Sequence, residues 1–239
     1  MLIGAVQIDG TGITAEPTSG VEAASNDDGS VLFRIAVPAG ESATRLELHI
    51  TPSTVDTVVN GGMAVIASRT GQKLAGVPLP TALDVDAQPV PVEMRVIDSA
   101  LVLLVTPEER HSGEVVVELW VGRDMIADVT VGEEQGEPRY FVTRTAFGHT
   151  VLGGGLGTPG ARELVEEKGW EQAVAMEPAL AELPTLQQQF DCHVLGAPRK
   201  ESWNLEAFRP DHPEWLVGAL EHRCNWTDAD LPQPEPSES

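Results

Sequence analysis

The hydrophobic rhythm of this chain changes once, and that change constrains the fold more than any single motif. Up to about residue 148 apolar side chains recur with a period of two between Gly, Pro and Asp turn signals; beyond about residue 160 the period is helical. Residues 45–50 show the first pattern, with Leu46, Leu48 and Ile50 on one face. Similar runs at 30–37, 63–67, 73–77, 90–96, 101–106, 114–121 and 125–131 predict further strands. Many short strands joined by tight turns predict an antiparallel β-sandwich or twisted sheet. Residues 10–29 are rich in Gly, Ser, Thr and Asp and predict a loop or weak edge.

Between the two regimes, residues 149–160 carry Gly153-Gly154-Gly155, Gly157 and Pro159 and predict an interdomain linker. The glycines lack the Lys and Ser/Thr of a phosphate loop. Past the linker, Thr158 as N-cap and Pro159 as first residue predict a helix that ends at Gly169. A second helix is expected over 170–176 and a third from Pro184 toward Gly196. The last starts at Asp211, with Glu214 in a capping-box arrangement. Residues 227–239, rich in Pro, Glu and Ser, predict a disordered tail.

Charge narrows the partners. A formal net charge of −22 over 239 residues argues against nucleic acid and against anionic membranes. No apolar run reaches the ~18 residues of a membrane span. The first residues lack the basic and apolar regions of a signal peptide. The expectation is therefore either a cytosolic protein with free thiols or the mature form of an exported one.

The densest chemistry lies in residues 192–226, which hold both cysteines, three of the five tryptophans and three of the six histidines. Cys192 and Cys224 pair most simply as a disulfide pinning two helices together. Zinc is the competitor, since Cys192-His193 and His222-x-Cys224 supply four soft ligands, but adjacent Cys and His rarely hold one ion. A catalytic thiol is a third reading. No metal or other cofactor is expected. His193 could serve as a general base with Asp191 or Glu206 orienting it, or could make ordinary structural hydrogen bonds. Arg199, Lys200, Arg209 and Arg223 could bind an anion or pair with neighbouring carboxylates. Trp203, Trp215 and Trp226 could form a binding platform or anchor a small core. Neither a G-x-S-x-G elbow nor an H-E-x-x-H pair is present.

Gln189-Phe190-Asp191-Cys192-His193, Lys200-Glu201-Ser202-Trp203-Asn204-Leu205-Glu206-Ala207-Phe208-Arg209-Pro210 and Cys224-Asn225 together resemble a C-terminal domain of unknown function found in exported actinobacterial proteins. The run Asp86-Ala87-Gln88-Pro89-Val90-Pro91-Val92, followed by Ser99-Ala100-Leu101-Val102, is similar to a turn and hairpin in the β region that precedes that domain. The resemblance implies export, and with it a disulfide. It marks Lys200, Trp203, Asn204, Glu206 and Arg209 as the positions that define the domain and as candidate binding residues.

The expectation is thus an α+β chain. An antiparallel β-sandwich-like domain (1–148) is joined by the Gly-rich linker to a small helical, disulfide-stapled domain (161–226). The functional expectation is a secreted or envelope-associated binding module or effector acting on cell-envelope material or another protein. The alternatives are a small hydrolase using His193 and a structural envelope protein.

Overall fold

In the computed structural model the placed residues are 1–8, 12–38, 43–51, 56–60, 63–68, 70–98, 100–153 and 159–232. Twelve strands come first: β1 (Leu2–Ile8), β2 (Ile13–Pro17), β3 (Val21–Ser25), β4 (Val31–Pro38), β5 (Thr44–Thr51), β6 (Asp56–Asn60), β7 (Met63–Ala67), β8 (Lys73–Val77), β9 (Thr81–Leu83), β10 (Val92–Ile97), β11 (Ala100–Val105) and β12 (Glu114–Val121). They form sheets in the orders β10-β11-β5-β1-β2, β3-β4-β12-β9 and β6-β7-β8.

The first two sheets share one core. Alternate residues of β4 and β12, among them Phe33, Ile35, Val117 and Leu119, point inward and meet Leu46, Leu48, Leu101 and Leu103 of the other sheet. This is the sandwich that the period-two pattern predicts. One pairing departs from it: β1 runs parallel to β5.

Residues 10–29, expected as a loop, contain the edge strands β2 and β3. Their side chains are largely exposed. Main-chain bonds to β1 and β4 hold them, so no apolar alternation announced them.

The third sheet faces two cores at once. In β7, Ala64 and Ile66 join the sandwich core, whereas Met63 and Val65 belong to a second core. Glycines permit the junction. Gly76 and Gly122 pair main chain to main chain, and a Cβ on Gly122 would lie 2.5 Å from the Phe147 ring.

The second core is built by β13 (Ile126–Glu134) and β14 (Glu137–Arg144), then by α1 (Ala146–Leu152), α2 (Pro159–Leu164), α3 (Trp170–Met176) and α4 (Pro184–Gly196). Strand β15 (Ser202–Glu206) completes a sheet β13-β14-β15. The hairpin of β13 and β14, assigned from sequence to the N-terminal domain, therefore pairs with the later segment and packs into its core.

Helix α1 occupies residues expected in the linker. Thr145 caps it by accepting from the Gly148 amide at 2.8 Å. Thr158 and residues 154–157 of that linker lie outside the described residues, as does most of the tail. Gly169 does not end a helix. It is right-handed helical, and a π-helical turn over Val165–Gly169 leads directly into α3.

The last helix, α5 (Trp215–His222), starts later than predicted and has no side-chain cap. Asp211 instead accepts from Gln188, and the amide of Glu214 donates to His212 Nδ1 at 3.1 Å. In the tail, Thr227 and Asp230 form a capping box around a 3-10 turn. Among the described residues no helix is long and apolar enough to cross a membrane.

Candidate functional site

The residues singled out by sequence converge on the contact between α4 and β15. Strand β15 is a sheet edge with one side on β14. An uncovered edge leaves main-chain donors and acceptors unpaired. Helix α4 covers it with side chains. Gln189 Oε1 accepts from the Glu206 amide at 2.9 Å, and Gln189 Nε2 donates to the Glu206 carbonyl at 3.0 Å. One turn later His193 Nε2 lies 3.0 Å from the Asn204 carbonyl. The spacing fits because four helical residues rise about 6 Å and two strand residues about 6.6 Å.

That contact fixes His193. A carbonyl oxygen only accepts, so the bond requires the proton on Nε2. Nδ1 is buried with no hydrogen-bond partner. Burial holds the imidazole well below its usual range, at about 4. It is neutral at pH 7, with its one proton committed to the main chain. Asp191, two residues earlier on α4, lines a different pocket and does not orient it.

The other candidates are also engaged. Trp203 is fully buried, stacks on His193, meets Phe190 edge-on, and donates Nε1–H to the Ala197 carbonyl at 3.0 Å. The Glu206 carboxylate accepts from Asn204 at 2.9 Å and from Arg209, with Arg139 at 3.6 Å. Arg209 continues to the Trp226 carbonyl and to Asn225. Cys192 and Cys224 form a disulfide with Cα atoms 5.7 Å apart. They pack with Ala219 and Trp226 in a small third cluster. Both thiols are consumed, which removes the zinc and thiol-nucleophile readings. Of the five candidate binding residues, Lys200 alone is exposed. Structure thus brings the motif together as a self-satisfied brace; its tryptophans are not a platform.

Two openings lie outside this brace. A small pocket of about 310 Å³ is lined by Lys73, Glu163, Glu166, Glu167, Gln187 and Asp191. Burial, then the nearby Glu166 charge, pushes Asp191 up to about 7. Burial also raises Glu166.

The larger opening, about 1050 Å³, lies where the turn between β3 and β4 meets the start of β13 and helix α3. Asp27, Asp28, Asp124, Trp120, Met176 and Arg144 are on its walls. Asp28 ties the two cores together by accepting from the Phe147 amide at 2.9 Å and from Ser30. Burial pushes Asp28 up, but these hydrogen bonds outweigh it and the net shift is downward. Asp124 is positioned by Gln172 and Arg123.

Arg144 is 4 % exposed and lies over the Trp203 ring. Its Nη2 donates to the carbonyls of Pro198 and Lys200, each at 2.6 Å, while Nε and Nη1 have no hydrogen-bond partner. Burial lowers its pKa to about 10, so it stays charged at neutral pH. Sequence reasoning passed over this opening because Asp27-Asp28-Gly29 read as an ordinary turn, and Arg144 carries no local motif.

Residues 126–227 match the model of a family described as a protein of unknown function (DUF2599). The match begins at the first residue of β13 and ends one residue past Trp226, so it covers the β13-β14-β15 sheet, its helices and the disulfide. The C-terminal part is therefore similar to a domain of unknown function. No curated protein and no solved structure matches the chain.

Proposed function

We propose that this chain is an exported or cell-envelope protein that works by binding and not by catalysis. The observation that carries this reading is the state of His193. Its Nε2–H is committed to the Asn204 carbonyl and its ring is buried and neutral. A general base needs reach to a substrate proton and a pKa near the working pH. The disulfide supports export, since thiols stay reduced in the cytosol. The residues that resemblance singled out serve as the brace, and the ligand is assigned to the large cleft beside it.

Fractionation of the native host with thiol trapping tests the location. The protein should appear outside the cytoplasm with no alkylatable thiol. A cytoplasmic pool with two free thiols would overturn export. A His193→Gln variant that folds, judged by near-ultraviolet circular dichroism, should keep every phenotype of the wild type. Selective loss of phenotype in that folded variant would restore the hydrolase.

A further inference from the structure

We infer that the cleft between the β3–β4 turn and β13 receives a peptide segment bearing lysine or arginine. This rests on the binding role proposed above and names its ligand class.

Three observations converge. First, the walls carry Asp27, Asp28 and Asp124. Asp27 is exposed, and the Asp124 side chain is 43 % exposed. Second, the same walls carry Trp120, half-buried, and Met176, 48 % exposed. An aromatic face beside carboxylates suits an alkyl chain ending in a cation. Third, Arg144 is more than nine-tenths buried, makes no ion pair among the described residues, and has two idle N–H donors. A buried guanidinium in that state needs an oxygen acceptor. A peptide brings both chemistries, a carbonyl oxygen for Arg144 and a cationic side chain for Asp27 and Asp124. A bare metal ion or an amine without carbonyls would leave Arg144 unserved. The net charge of −22 steers a cationic segment toward the protein and repels a second copy.

The test uses the full oxidised chain and three capped pentapeptides, Ala-Lys-Ala-Lys-Ala and its Gln and Glu counterparts. Calorimetry measures affinity, and NMR follows the Trp120 indole and the Arg144 Nε–H. The lysine peptide should bind, shift both signals and weaken with salt. Asp27→Asn with Asp124→Asn should weaken it about tenfold or more. The same charge removed at Glu109 and Glu114, toward the far end of β12 from Trp120, should change affinity less than about twofold if the effect is local. Equal losses from the two double variants would reduce the attraction to net charge and overturn the proposal. So would glutamine-peptide binding as tight as that of lysine, or no lysine-peptide binding at millimolar concentration. The binding role is judged separately: Trp120 and Arg144 signals that move with the glutamine peptide or a neutral oligosaccharide would preserve it while refuting the cationic ligand.

Discussion

Replacing Asp191 by asparagine should stabilise the protein in mild alkali and leave it nearly unchanged in mild acid. Asp191 sits beside Glu166 in the small pocket, with one carboxyl oxygen buried and unpartnered. Its pKa rises from 3.8 to about 7. A carboxyl with a raised folded pKa holds its proton in the native state while the unfolded chain has lost it. Its contribution is fully present below the unfolded value and is lost as pH rises through the folded one. Integrated from pH 5 to pH 8, the loss is at most about 2.6 kcal/mol, and solvent screening of this partly exposed group reduces it to about 1–2 kcal/mol. His193 acts oppositely between its ordinary value of 6.5 and about 4, so the wild-type profile alone would hide the effect. The difference between variant and wild type removes that background. Urea denaturation at pH 5 and pH 8, with the disulfide intact, should show the gap in favour of the Asp191→Asn variant growing by about 1–2 kcal/mol. A gap that is the same at both pH values would refute the assignment of a native-state proton to Asp191.

The other expectations concern the brace and the junction. Replacing both cysteines by serine removes a 32-residue separation bridge and should cost about 3–4 kcal/mol in chemical denaturation by the loop-entropy estimate. Gln189→Ala leaves the Glu206 amide and carbonyl without their partners and should cost about 2–4 kcal/mol, read also as faster amide exchange at Glu206. Nitrogen NMR should find His193 as the Nε2–H tautomer, titrating near 4. Because its pKa is lowered, its stabilising contribution should fall as pH drops from 6.5 toward that value. Gly122→Ala would drive a Cβ to 2.5 Å from the Phe147 ring and should cost about 1–3 kcal/mol.

Strands such as β4 and β5 were legible because one face is buried and the other wet, which imposes a period of two on the residues themselves. Helix α4 was legible for the same kind of reason, from Pro184 at its start to Gly196 at its end. The pairing of Cys192 with Cys224 was legible because two cysteines allow one intramolecular bridge. Edges were not legible. β2 and β3 are held by main-chain bonds that any residues supply. In β15, Trp203 and Leu205 do alternate inward, yet a five-residue strand inside a motif of rare residues reads as a binding loop.

By itself, then, the sequence determined the α+β class, the sandwich, the staple and the negative charge, because each follows from local periodicity or composition. Tertiary structure alone decided what the rare residues do. Gln189 and His193 became the cover of a strand edge because α4 lies along β15, and Trp203 became core because β14 pairs beside it. The cleft arose where a turn from one core reaches the helices of the other. Such roles depend on which main-chain groups remain unpaired after assembly, and that is settled between segments distant in the chain.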